Sequence, residues 1–317
     1  MRVRGPLRVR RPTLVPALVV AGAVAAATAF LLIGREIHTT QVGGFALDDL
    51  VERLLETLPE PGSQGYDPAR PTEAATLARS YRAARAGHAL RAGRLAAPLG
   101  YAVQHLSDGD QRALALAERP AAGGHPAHGW GLFVHAPAAP TDLVVEVVHP
   151  RADARTAGLG LRAFRATGAG DLLIAGAHRE ANDDGSADVA HASQSAFQAV
   201  HDALLHRGVT VLQLHGFDRA RRSRSYRDAV VSDGTRDPSA IARSVARALR
   251  AAGLRVCLYR GERCAQLAAT TNVQGVTTRR AGGAFVHLEL AARPRRDPDL
   301  RDRVIGALVA ALGAPHE

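Results

Sequence analysis

His149 and His215 occupy equivalent places in two similar stretches of this chain. His149 closes the apolar run LVVEVVHP (143–150), and His215 closes VTVLQLHG (209–216). A short apolar run bounded by turn residues reads as a buried strand, so each imidazole is delivered to a strand exit. Pro150 ends the first strand, and Asp153, four residues past His149, can turn back beside it. Two imidazoles and a carboxylate suit zinc, and a catalytic zinc keeps three protein ligands and one open position. His149, Asp153 and His215 are therefore the candidate metal ligands, with Glu146 and Asp188 as other sources of the carboxylate. The stretch FVHLELA (285–291) alternates, so that His287 and Glu289 face one way and Val286, Leu288 and Leu290 the other. A carboxylate in such an apolar strand needs a reason to be there. Glu289 is the candidate general base that would draw a proton from water. Arg179, with five donors in a fixed fork, is suited to hold a substrate carboxylate. Some of these residues have plainer uses: Asp153 could cap the helix that follows, Arg179 could pair with Asp188, and His201 reads as a core histidine held by a hydrogen bond.

The elements that must position these groups alternate. LVVEVV leads to a helix opening near Thr156, DLLIAG (171–176) to a helix within SQSAFQAVHDALLHRG (193–208), and VTVLQL to a helix over DPSAIARSVARALRAAG (237–253). LRVCLY (254–259), AFVHLEL (284–290) and a last amphipathic helix through Ile305, Leu308, Val309 and Leu312 complete the series. Apolar strands alternating with amphipathic helices predict an α/β fold: a mixed, mostly parallel sheet with helices on both faces. In such sheets, ligands gather at the carboxyl ends of the strands. Before this core, Glu73 to Arg94 reads as one helix. Three short strands follow, within LGYAVQHL (99–106), ALALAER (113–119) and GWGLFVHA (129–136), and read as an antiparallel edge.

At 317 residues and 46% apolar content, the chain can bury a sizeable core. Its formal charge of +10 comes entirely from arginine, since no lysine occurs. The arginines are scattered, aromatics are only 4%, and no nucleic-acid-binding motif is present, which argues against a nucleic-acid partner. MRVRGPLRVRRP (1–12) carries five arginines and no acid, and twenty uncharged residues follow it, Leu14 to Ile33. That is the length of a bilayer-spanning helix. Arginines ahead of the span predict a cytoplasmic tail (1–13), a transmembrane signal-anchor (14–33) and everything after it outside the cytoplasm; cleavage at AAATA (25–29), giving a secreted form, is the alternative. The Pro- and Gly-rich stretch that ends near Thr72 makes 34–72 a linker, leaving 73–317 as the catalytic domain. Export permits a disulfide between Cys257 and Cys264, which flank the turn-like RGER (260–263).

Taken in chain order, VEVVHPRAD, AGAHREAN, DVAH, LQLHGF, SDGT, ATTNVQG and FVHLELA resemble the zinc-dependent N-formylglutamate amidohydrolase and aspartoacylase group, relatives of the zinc carboxypeptidases. The likeness runs over roughly 142–292. Position 152, where the carboxypeptidase pattern places its acid, is alanine, and Asp153 follows one step later. The resemblance implies Zn2+ on His149, Asp153 and His215, a water-activating base at Glu289, and substrate contacts at Arg179, Asn182 and Asn272. The expected protein is a membrane-anchored, extracytoplasmic zinc hydrolase, an amidohydrolase or metallopeptidase, that cleaves an amide or peptide bond in a small-molecule or peptide substrate. A non-catalytic binding module on the same scaffold and a metal-dependent phosphoester hydrolase are the alternatives.

Overall fold

Strand β4 (Leu143–Val147) shows how the fold is organised, because every one of its five residues is buried. Leu143, Val145 and Val147 join one hydrophobic cluster and Val144 joins another. A strand buried on both faces needs a layer on each side, and the chain supplies both. The computed structural model describes residues 47–108, 111–121, 124–218 and 226–314.

Before β4 the described elements are α1 (Leu47–Thr57), α2 (Pro71–Arg85), α3 (Ala89–Ala96), β1 (Tyr101–Asp108), β2 (Gln111–Glu118) and β3 (Leu132–His135). After it come α4 (Thr156–Thr167), β5 (Asp171–Ile174), α5 (Ala196–Asp202), β6 (Thr210–Phe217), β7 (Ala229–Ser232) and α6 (Ala240–Ala251). The series closes with β8 (Val256–Leu258), α7 (Val273–Arg280), β9 (Ala284–Ala291), α8 (Ala292–Arg296) and α9 (Pro298–Leu312). The nine strands form one sheet in the order β1-β2-β3-β5-β4-β6-β9-β7-β8. Helices α1, α4, α6 and α9 bury residues in the cluster on one face; α2, α3 and α5 do so on the other.

The mixed α/β sheet with helices on both faces agrees with the sequence reading, and so does the antiparallel edge β1-β2-β3. The sheet is less parallel than expected. Pairings β5-β4, β4-β6, β6-β9 and β7-β8 are parallel, whereas β1-β2, β2-β3, β3-β5 and β9-β7 are antiparallel. The excess comes from the three-strand edge and from β7, a four-residue strand that runs against β9. The single helix expected over Glu73 to Arg94 is two, α2 and α3, because Gly87 takes a left-handed φ of 76° at the break. The segment read as a linker contains α1, whose Leu47, Leu50 and Val51 are buried in the core. The apolar segment 14–33 lies outside the described residues, among which no helix is long and apolar enough to cross a membrane. Cys257 and Cys264 are disulfide-bonded.

Candidate metal centre

Strand alternation builds the site. Along β6, Leu212 and Leu214 face the first cluster, which turns Gln213 and His215 to the opposite face. In β9, Val286, Leu288 and Leu290 face the first cluster, which turns His287 and Glu289 the same way as the β6 pair. The parallel register then sets these polar side chains in rungs: Glu146 beside Gln213, Gln213 beside His287, and His215 beside Glu289. All five are buried, Glu146 and Gln213 completely.

His149 lies two residues past β4. The chain turns there, with Asp153 N–H donating to the His149 carbonyl at 3.0 Å. Asp153 does not cap α4; the residue at that position is Arg155, in a left-handed conformation. One carboxylate oxygen of Asp153, Oδ2, instead lies 3.4 Å from His149 Nδ1 and 3.4 Å from His215 Nδ1. The two rings meet edge to face at 5.0 Å. A donor atom from each of the three residues lies within 4.8 Å of the other two.

These residues fit a zinc ion on two counts. Ligands about 2.0–2.1 Å from a tetrahedral zinc are themselves about 3.4 Å apart, the separation found on both sides of Asp153 Oδ2. A ligating imidazole also commonly donates its other N–H to a fixed acceptor, and both histidines do. His149 Nε2 is 2.8 Å from Asp188 Oδ1, and His215 Nε2 is 2.8 Å from Gln213 Oε1. The orientation of the Gln213 amide follows from its other partners. Its Nε2 donates to Glu146 Oε2 at 2.9 Å and to Gln274 Oε1 at 3.1 Å, while its Oε1 accepts from Asn272 Nδ2 at 2.6 Å. An oxygen so placed requires His215 to carry its proton on Nε2, which leaves the Nδ1 lone pair facing Asp153.

Electrostatics matches this arrangement. Burial opposes a charged imidazole at His149, but Asp153 and Asp188 on its two sides outweigh it and raise its pKa to about 9. At Asp153 burial favours the neutral acid, yet His149 and His215 hold the carboxyl well below the usual range. Burial and the neighbouring His149 lower His215, and burial with the adjacent His215 lowers His287 further.

The other predicted residues divide. Arg179 donates to Asp188 Oδ2 at 2.7 Å and lies 3.5 Å from His149 Nδ1. It also lines two cavities that open onto the site, one of about 410 Å³ on the side of Ala152, His178 and Asp218, the other of about 230 Å³ on the side of His191, Thr271 and Asn272. His215 and Glu289 line both as well. Asn272 lines the smaller cavity, but its Nδ2 holds Gln213 and its Oδ1 caps α7 through Gly275 N–H at 2.8 Å. Asn182 lines neither cavity; it binds the backbone of Tyr66 and the Ser186 hydroxyl. Of the alternative carboxylates, Asp188 stands behind His149, and Glu146 is held by His201 Nδ1 at 2.6 Å and by Gln213.

Two contributors escaped the sequence reading. Gln213 is one, and its signal was available: an amide between Leu212 and Leu214 in a strand covered on both faces. Arg295 is the other. Buried beneath the end of β6, it donates to the carbonyls of Ala154, Leu290 and Phe217. It also explains Gly216, where a Cβ would come within 2.5 Å of the Arg295 guanidinium. No motif marks an arginine in that role.

No family model matches the chain, and no curated protein does. Among solved structures, one similar to it is described as "Putative carboxypeptidase A" from Shewanella denitrificans OS-217. The two are 12% identical with a TM-score of 0.34, over 70% of this chain and 68% of that one.

Proposed function

We propose that this protein is a zinc-dependent hydrolase that cleaves an amide or peptide bond. The observation that carries the reading is the convergence of His149 Nδ1, His215 Nδ1 and Asp153 Oδ2, with Glu289 in register beside His215. His149, Asp153 and His215 would hold the ion. When bound, zinc supplies a Lewis acid that polarises the scissile carbonyl and makes water more acidic.

The chain's own residues do the rest. Asp188 and Gln213 keep the two imidazoles in the tautomer that presents Nδ1 to the ion. Glu289 takes a proton from water as the new C–O bond forms, and that proton passes to the leaving nitrogen as the C–N bond breaks. Arg179, at the boundary of the two cavities, orients the substrate through the part of its guanidinium not engaged by Asp188. A carboxylate near the scissile bond is the group it would hold. A phosphoester hydrolase is disfavoured because such enzymes commonly set two metals about 3.5–4 Å apart, and the candidate clusters among the described residues share His215 rather than standing separately. We also place the domain outside the cytoplasm, tethered through residues 14–33, as the Arg-rich flank and uncharged span predict.

Metal analysis of the purified protein, followed by a panel of N-acyl amino acids and peptides, tests the reading. Glu289→Gln is expected to keep the metal and the fold while turnover falls by about 10²–10⁴-fold, the usual contribution of general acid–base catalysis. Wild-type turnover by that variant would remove Glu289 from the mechanism.

A further inference from the structure

We propose that the site contains a second position for a divalent cation, formed by His215, His287 and Glu289, and that a single ion can occupy either this position or the first. Donor atoms of these three residues lie within 4.8 Å of one another, and all three side chains are buried. They come from adjacent strands, β6 and β9, with His215 and Glu289 as register partners and the rings of His215 and His287 4.3 Å apart. Two imidazoles and a carboxylate form the same donor class as the first position, suited to Zn2+ and to Co2+.

His287 supplies an independent observation. It is 4% exposed, and its Nδ1 has no hydrogen-bond partner among the described residues, a condition that native interiors rarely tolerate without a water, an ion or a functional role. Its neighbour across the register is Gln213, whose amide is committed to Glu146, Gln274, Asn272 and His215. The side chain nonetheless lines the smaller cavity with His149, His215 and Glu289, so a cation can approach from solvent.

The consequence follows from the shared ligand. His215 Nε2 is directed at Gln213, which leaves one nitrogen for a metal, so the two positions exclude each other. An ion in the second position engages Glu289 and withdraws the proposed base. The second position is then a minor, unproductive state of the site, and ligands that favour the first position draw the ion away from it. Only the assignment of the first position as the productive one rests on the proposed function; the second stands on its own donors.

The test uses the full-length protein with Co2+ as probe, reading visible absorption and equilibrium dialysis for the wild type, His149→Ala, His287→Ala and the double variant. His149→Ala is expected to bind more weakly than wild type but about tenfold or more tighter than the double variant, with an altered spectrum. His287→Ala should match the wild type, since it leaves the first position intact. Should circular dichroism show the double variant unfolded, His149→Ala/His287→Gln replaces it. Equal binding by His149→Ala and the double variant overturns the second position. Undiminished binding by His149→Ala overturns instead the first position, and with it the proposed function, while supporting the second. A wild type that binds no Co2+ overturns both.

Discussion

Replacing Gln213 with methionine should weaken metal binding without touching any ligand. Methionine fills the same volume, so no cavity opens, but it strands four partners: His215 Nε2, Asn272 Nδ2, Glu146 Oε2 and Gln274 Oε1. Three of the four residues keep other bonds, Glu146 to His201, Asn272 to Gly275 and Gln274 to Val189 and Gln198. At the low end of the ~1–3 kcal/mol expected for each buried group left unpaired, the four together lose about 4 kcal/mol. That is a large part of a domain's ~5–15 kcal/mol but need not exceed it. The effect on the metal is separate. Without the Gln213 acceptor, His215 no longer has its proton directed to Nε2, and removal of such an orienting partner typically costs about 10–100-fold in affinity, or about 1.4–2.7 kcal/mol. Chelator competition gives the affinity and thermal melting of the metal-free protein gives the stability. Gln274→Met separates the two effects: it breaks the same network one amide further away and should destabilise the fold while leaving affinity close to wild type. If Gln213→Met bound zinc as tightly as wild type, the amide would be a packing element and its role in setting the tautomer would be wrong.

The metal-free protein should show a defined pH dependence. His149 is raised from 6.5 to about 9, so its contribution is complete below about 6.5 and lost as pH rises through 9; Asp153 is depressed from 3.8, so its contribution is present above 3.8 and lost at lower pH. Melting in chelator should therefore separate wild type from Asp153→Asn most widely between about pH 4 and 6.5, with the gap closing towards pH 9, and a pH-independent gap would contradict the pairing. Zinc must displace the His149 proton, so its apparent affinity should climb between pH 6.5 and 9. Replacing Cys257 and Cys264 with alanine together should lower stability by about 2–3 kcal/mol, since the loop they close is short, as denaturant unfolding would report. Protease added to intact cells should digest the domain if it lies outside the cytoplasm, and full protection would reject that localisation.

What could be read from the sequence follows from what each residue does locally. Strand exits, helix faces and the disulfide are local, so His149, His215 and the α/β rhythm were legible. The Asp153 turn was legible for the same reason, because proline and a four-residue return constrain only neighbours. The parallel majority was a poorer inference. Strand direction depends on where the chain crosses over, and the β7 run, AVVS, carries no sign that it lies against β9 in the opposite sense.

The polar rung beside the candidate ligands was the least legible, because its contacts exist only across strands. Glu146, Gln213 and His287 are far apart in sequence and become one rung only when β4, β6 and β9 pair in this register. A shift of one residue in either pairing would turn every side chain of the moved strand to the opposite face. His215 would then point into the cluster that holds Leu212 and Leu214, and His287 and Glu289 would face Leu288's partners instead of one another's. The apolar halves of β6 and β9 prevent this, since burying Leu212, Leu214, Val286, Leu288 and Leu290 on one face is what sends the polar residues to the other. Hydrophobic packing on the side of α4 and α9 thus holds the donor atoms in place on the far side of the sheet. Truncating Leu288, with no polar group involved, should on that argument loosen the metal site as well as the core, and calorimetry of the metal-free and zinc-loaded protein can separate the two losses.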